Sequence, residues 1–341
     1  MNLRSSYLGL SLAHPVVAGA STLSATFDGI RRLEDAGASA IIAASVHEEE
    51  VLAEESAFES ARTIGAESHP EVTSYLPSLP HYHGALAAHV EMIRRAAESV
   101  SVPLVASLNG ITREGWTGIA SDLQQAGAAA LELNLFHIPT GLWETSAEVE
   151  TRLVNIVRDV CAAVRIPVSV KLVPNFTAPG RLAAALVDVG ASGIVLFNRS
   201  YEPDIDLKTM QFKLSLRLST AEEIRVPLTW IALLSGNTPL TLVAGRGVEG
   251  SDEVVKYLLA GADVVQTASS LLRHGPAYIG RLVEGLVEWL DAHSANSVED
   301  IRGRMRLVRP AHSEKMLRAQ YLRSVLRERV MDEDRRSVVL V

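Results

Sequence analysis

Lys171 closes the run VSVKL, where it alternates with apolar residues on what reads as a buried strand. An ammonium there is costly unless it faces a site. Two chemistries suit it, a cation beside an anionic cofactor ring or a Schiff-base nucleophile. Asn134 and Asn198 end two further apolar runs, LELN and GIVLFN. Side-chain amides carry donors and acceptors together, which suits the edge of a planar heterocycle; a structural amide reads the same way. His137 follows Asn134 by three residues. An imidazole, whose ordinary pKa is about 6.5, is suited to proton transfer at neutral pH, and a loop histidine bonded to backbone is the plain alternative. Small residues crowd two other strand ends, Gly245, Arg246 and Gly247 in AGRG, then Ala268, Ser269 and Ser270 in TASS. With no large side chain in the way, backbone N–H groups there can approach a phosphate, and Arg246 adds charge.

These residues need elements to hold them, and the chain has a repeating grammar. In DAGASAIIAAS, QAGAAALELNL, DVGASGIVLFN and LAGADVVQTAS, a helical run ends at glycine (Gly37, Gly127, Gly190, Gly261) and a short apolar run follows. Glycine takes the left-handed conformation at a helix C-terminus without a Cβ penalty. Between these segments fall AHPVVAG, SVPLVASL, RIPVSVKL and NTPLTLVAG, each with a proline where a strand would begin, a place that needs no ladder N–H. Pro15, Gly37, Pro103, Gly127, Pro167, Gly190, Pro239 and Gly261 thus announce eight strands with helical sequence between most of them. Buried parallel strands alternating with helices predict an α/β protein, and eight units predict a closed (β/α)8 TIM barrel. An open doubly wound sheet is the other arrangement this grammar allows.

The reading divides the chain into a barrel over 1–296 and a charged helical C-terminal extension over 297–341. Long segments leave strand C-terminal ends after strand 2 (roughly 46–85), strand 4 (HIPTGLWETSAE) and strand 6 (NRSYEPDIDLKTMQFKLSLRLS), the face on which such barrels build sites. HEEE (His47 to Glu50) reads as a helix start. HYH (His81, His83) has no further ligand at supporting spacing and reads as polar loop rather than a metal site. The chain has 341 residues, 48% hydrophobic, with formal net charge −8, which offers no basic face to nucleic acid or an anionic membrane. It has no apolar run of spanning length and no signal-peptide pattern, and one cysteine, Cys161, so a cytoplasmic setting is expected. A lone thiol cannot hold an iron–sulfur cluster.

Most of the chain, about residues 3–290, resembles the FMN-dependent dihydroorotate dehydrogenases, in particular a dihydroorotate dehydrogenase-like branch. The likeness rests on YLGLSLAHPVVAGAS, LELNL, VSVKL and, most specifically, GVEGSDEVVKYLLAGADVVQTASSLLRHGP. It implies an FMN oxidoreductase of CH–CH bonds, in pyrimidine metabolism. Ala20 and Ser21 would lie beside the flavin, with Ser45 and Asn109 at the ends of strands 2 and 3 around it. Lys171 would neutralise charge on the reduced pyrimidine side, and Asn134 and Asn198 would bridge flavin and substrate. Gly247, Ala268 and Ser269 would cradle the phosphate, with Gly245 and Arg246 of the same strand end read as cofactor-binding beside them, although Arg246-Gly247 stands where the family has paired glycines.

This chain departs from the family around the substrate. Where the family has Leu-Ser-(Cys or Ser)-Pro-Asn, with Cys or Ser as base, it has Leu135-Phe136-His137-Ile138-Pro139, which puts His137 at the base position. The lysine ending strand 2 becomes Ala44, and the serine after the strand 6 asparagine becomes Arg199, a residue able to pair with a carboxylate or phosphate. The expectation is oxidation of dihydroorotate, or a related small anionic dihydropyrimidine, with His137 as base and Arg199 on the substrate. The onward electron acceptor is unassigned; the resemblance allows a homodimer, and the sequence does not itself specify the oligomeric state. Two alternatives stand beside it: a phosphate-binding lyase or aldolase using Lys171, and a non-catalytic flavin electron-transfer subunit.

Overall fold

A computed structural model describes residues 1–63, 84–110, 112–137, 139–199, 203–213, 217–307 and 315–326. Eight parallel strands form its centre: β1 (Val16–Ala18), β2 (Ile41–Ile42), β3 (Leu104–Asn109), β4 (Ala130–Asn134), β5 (Val168–Leu172), β6 (Gly193–Leu196), β7 (Thr241–Gly245) and β8 (Val264–Thr267). Each pairs with the next, and β8 returns to β1, so the sheet closes into a (β/α)8 barrel.

The outer layer consists of α1 (Phe27–Asp35), α2 (Glu48–Thr63), α3 (Ala85–Ser99), α4 (Arg113–Gln125), α5 (Ser146–Ala163), α6 (Pro179–Asp188), α7 (Arg225–Leu234), α8 (Ser251–Ala260), the short α9 (Ser269–His274) and α10 (Tyr278–Ala292). Gly261 shows why glycine marks the helix ends. It caps α8 at φ 111°, and a Cβ there would lie 2.0 Å from Ser235 Oγ.

Side-chain alternation along the strands sorts the barrel interior into layers. At its lower end an N-terminal hairpin, Ser5–Tyr7 with Leu10–Leu12, inserts Tyr7, Leu8 and Leu12 among Val17, Ala40, Ile42, Val105, Ala130, Val195, Val243 and Val264. Two residues further along the strands comes a polar layer, with Ser107, Glu132, Ser169 and Gln266 all buried. Two residues further again, at the mouth, stand Asn109, Asn134 and Lys171. The polar tops of β3, β4 and β5 are therefore set by the same parity that fills the apolar plug below.

The three long segments leave the mouth as expected. After β2, Val46–His47 runs beside β3 and leads into α2 at Glu48, so HEEE does begin a helix. His81 and His83 lie outside the described residues. The segment after β4 carries the exposed Leu142 and Trp143, and the one after β6 forms an exposed hairpin, Asp204–Asp206 with Gln211–Lys213. Beyond α10, residues 297–307 lie against the barrel's lower face. Val298 and Ile301 are buried there, and the N–H groups of Met305 and Leu307 donate to Leu259 and Ala232. Residues 315–326 are helical and mostly exposed.

Candidate active site at the barrel mouth

One cavity at the C-terminal ends of the strands collects Gly19 and Ala20 after β1, Lys171 of β5, and Phe197, Asn198 and Arg199 after β6. Gly245, Arg246, Gly247 and Val248 line it from β7, Gln266 to Ser269 from β8, and Ser219 from the β6–α7 connection. Its far end is a cradle of small groups. The Gly247 N–H donates to Ser219 Oγ over 3.1 Å, and the Ser219 N–H donates to Ser269 Oγ over 3.1 Å. Gly247 has φ 74°, and a Cβ on it would stand 2.6 Å from Ile224 Cγ2 and 2.9 Å from Ile224 N. No side chain fits there, so the peptide group itself forms the wall.

Three cations line the cavity; carboxylates bond two of them, and Glu223 also feels the charge of the third. Lys171 Nζ donates to Glu132 Oε1 at 3.2 Å, and Gln266 Nε2 donates to Glu132 Oε2 at 2.8 Å. Arg246 bonds Glu223 through Nε (2.6 Å) and Nη2 (2.5 Å), so its charge is already engaged. Burial opposes ionisation of Glu223. The Thr220 N–H and Arg246 outweigh that effect and hold its carboxyl below the usual range. Arg199 is the third cation, and its buried Nη1 has no hydrogen-bond partner among the described residues. Beside it, Asn198 Nδ2 donates to Asn134 Oδ1 at 2.6 Å, and Asn198 Oδ1 accepts from the Arg199 N–H at 2.8 Å. The two asparagines thus form one bridge between β4 and β6.

The cavity therefore gathers Ala20, Lys171, Asn198, Arg199, Gly245, Arg246, Gly247, Ala268 and Ser269, with Asn134 joined through Asn198. The remaining expected site residues are placed otherwise. Ser21 accepts from the Leu23 N–H and caps a short 3-10 turn. Ser45 and Ser107 share a hydrogen bond between hydroxyls 2.7 Å apart. Asn109 is buried at the end of β3. His137 lines a second cavity of about 320 Å³ with Phe136, Ser146, Val149, Glu150, Leu153, Val173 and Phe176. Its Nε2 lies 2.8 Å from Arg152 Nη2, a guanidinium that also pairs with Glu144. An Arg can only donate, so Nε2 accepts and the neutral ring carries its proton on Nδ1.

Sequence reasoning missed Glu132, Gln266 and Ser219. Glu132 carried a usable signal, since a carboxylate inside LELNL breaks an apolar alternation just as Lys171 does in VSVKL. Ser219 carried none, because it reaches the cradle from a connection of no fixed pattern.

Residues 81–290 match the family model described as dihydroorotate dehydrogenase. The chain belongs to the dihydroorotate dehydrogenase family. It is 30% identical over 218 residues to a putative dihydroorotate dehydrogenase A (fumarate) of Aeropyrum pernix, covering 62% of this chain and 71% of the relative. Against the catalytic subunit of dihydroorotate dehydrogenase B (NAD(+)) of Methanothermobacter thermautotrophicus, identity is 26% over 315 residues, 88% of this chain and 97% of the relative. A dihydroorotate dehydrogenase A (fumarate) of Limosilactobacillus reuteri is 29% identical over 208 residues, 59% and 67% of the two chains.

As a member of that family, this chain is an FMN-dependent oxidoreductase acting on CH–CH bonds. The cavity fits that cofactor on its own terms. Gly245, Gly247, Ala268 and Ser269 keep the cavity wall small, and the Ser219 and Ser269 hydroxyls with the Gly247 and Ser219 N–H groups that bond them are donors a phosphate would take over. Among the described residues, no helix is long and apolar enough to cross a membrane, and no cluster of side chains is suited to a metal ion.

Proposed function

We propose that this dihydroorotate dehydrogenase relative oxidises a small anionic dihydropyrimidine, with dihydroorotate as the first substrate to try, in the cytoplasm. FMN supplies the hydride acceptor, and everything else falls to the chain. Gly245, Gly247, Ala268, Ser269 and the backbone beside Arg246 would hold the phosphate, joined by Ser219. Ala20 and Ser21 would border the flavin, with Ser45 after β2 and Asn109 at the end of β3. Lys171 would offset the charge that the reduced cofactor gathers. The Asn134–Asn198 bridge offers amide donors and acceptors to the flat edges of flavin and substrate.

The observation that carries the reading is Arg199. A buried guanidinium edge without an acceptor is expensive, and an anionic substituent on the substrate satisfies it. Proton acceptance falls to His137. In the observed arrangement its Nε2 is held by Arg152, so taking a proton requires the guanidinium to give way and remain with Glu144. The electrons leave to a free acceptor or to another protein; the relatives' names carry both fumarate and NAD(+). The ion pair to Glu132 speaks against the lyase alternative, because a protonated Lys171 has no lone pair with which to attack a carbonyl.

The test is anaerobic addition of L-dihydroorotate to the flavin-loaded protein while the flavin absorbance is followed. Bleaching is expected, with FMN released on denaturation. Arg199→Gln should raise the substrate Kd about 100-fold, the scale of removing one partner from a buried charge pair, and leave flavin content unchanged. His137→Ala should slow bleaching by about 100-fold or more without moving that Kd. A flavin-loaded protein that no dihydropyrimidine reduces would refute the substrate assignment.

A further inference from the structure

Glu132 is fully buried in the barrel's polar layer, one side-chain layer below the cavity, and its two carboxylate oxygens are both engaged, one by Lys171 and one by Gln266. Stability alone does not explain the arrangement. Removing two charges from water costs as much as their attraction returns, and well-packed apolar residues usually serve a core as well or better. The pair also stands out from its surroundings. Glu132 and Lys171 belong to the neighbouring strands β4 and β5, and below them the barrel is filled by the apolar plug around Tyr7. Burial, then the charge of Glu132, raises the pKa of the Tyr7 phenol, so the plug supplies no compensating charge from beneath. The side chain of Lys171 is 13% exposed and that of Glu132 is 0% exposed, so the ammonium alone borders the cavity.

We infer that Glu132 is a positioning residue that sets the reduction potential of the bound flavin through Lys171. This rests on reading the cavity as the flavin seat. A bare ammonium beside the ring would stabilise the reduced, more negative flavin and raise its potential. With Glu132 behind it the pair is nearly neutral, and the flavin would be held at a lower potential. Glu132 also fixes where the ammonium stands, since Gln266 holds the second oxygen from β8 and keeps the carboxylate from turning away.

The measurement is a spectroelectrochemical titration of the FMN-loaded protein. Glu132→Gln keeps the shape and removes the charge; its one amide oxygen can still accept from Lys171 if the Gln266 amide turns to accept from the new NH2, and the midpoint potential should rise. The double variant Glu132→Gln with Lys171→Met leaves no buried charge unpaired, which protects folding, and its potential should return close to that of the parent. An unmoved potential in flavin-loaded Glu132→Gln would overturn the inference and leave Glu132 a structural residue. So would a double variant whose potential falls clearly below the parent, because Lys171 would then be acting as an uncompensated cation. A parent protein that takes up no flavin overturns the reading of the cavity and this inference together. Flavin bound with potentials outside the pattern overturns the inference alone.

Discussion

Two sides of one barrel mouth are built on different terms. On the β7–β8 side the cavity is lined by small groups, in that the Gly247 and Ser219 N–H groups donate to the hydroxyls of Ser219 and Ser269, and those hydroxyls bond each other. On the β2–β4 side, side chains bond across elements instead. Ser45 meets Ser107, Arg152 meets His137, and Glu48 reaches to the start of α4. A phosphate recognised by peptide groups requires small residues and tolerates little variation. A substrate recognised by side chains can be changed one residue at a time, and Ala44 and His137 depart from the family pattern on that side, while Arg199 does so from the end of β6 inside the cradle's own cavity. On the proposed reading the cofactor phosphate is held by what side chains leave open and the substrate by what they supply.

The sharpest way to break that comparison is at Gly247. Its φ of 74°, and the 2.6 Å to which a Cβ would approach Ile224, leave a larger residue no place. Gly247→Val should abolish FMN retention, read as loss of the flavin bands after gel filtration. The apoprotein should also be destabilised by about 1–3 kcal/mol, the cost of a strained backbone site. Retention of flavin at parental levels would show that side chains, not backbone, hold this end.

An intermediate effect belongs to the other side. His89 on α3 is largely buried, and burial pushes its pKa down to about 4, whereas the unfolded imidazole titrates near pH ~6.5. Above about pH 6.5 the group is neutral in both states and costs nothing. As pH falls from there to about 4, the unfolded chain binds a proton that the folded chain refuses, and stability drops by up to about 3 kcal/mol. His89→Leu should match the parent in urea melts at pH 7.5 and exceed it at pH 4.5. Flavin release on acidification should be delayed by the same substitution if it follows unfolding. Parallel acid profiles for parent and variant would remove His89 from the account.

The legible parts of the sequence are those with local causes. Proline and glycine at fixed places announce all eight strands because each acts on its own backbone. Lys171 and Asn134 stand out because a polar group ending an apolar alternation is a local anomaly. Glu132 is equally local yet escapes notice, since a glutamate inside a strand is easily read as its solvent-facing half; only closure of the barrel turns that face inward. The pairing of Arg246 with Glu223 depends on where a 23-residue excursion returns, and that of His137 with Arg152 on how α5 settles over the β4 loop. Neither follows from spacing. Reading His137 as a strand-end residue near the flavin identifies its loop but not the cavity its ring lines.

The smallest predicted effect concerns the Glu48–Thr112 junction, and it separates architecture from chemistry on the substitutable side. Thr112 caps α4. Its hydroxyl accepts from the Gly115 N–H at 2.9 Å and donates to Glu48 Oε1 at 2.5 Å, while its own N–H donates to Glu48 Oε2 at 2.8 Å. Glu48 is only 4% exposed, and the first residue of α2 thereby satisfies the free donors at the start of another helix, where a carboxylate is also favoured by the dipole. Thr112→Val keeps the shape and removes the hydroxyl, which should cost about 1–2 kcal/mol, the value of an N-cap, read as a lower urea midpoint. Thr112→Ser should recover most of it. If the junction is only architecture, flavin content and the rate of flavin reduction by substrate stay at parental values in both variants. A fall in reduction rate with stability restored, as in Thr112→Ser, would extend the substrate site to the start of α4 and move the boundary between the two sides of the mouth toward β3.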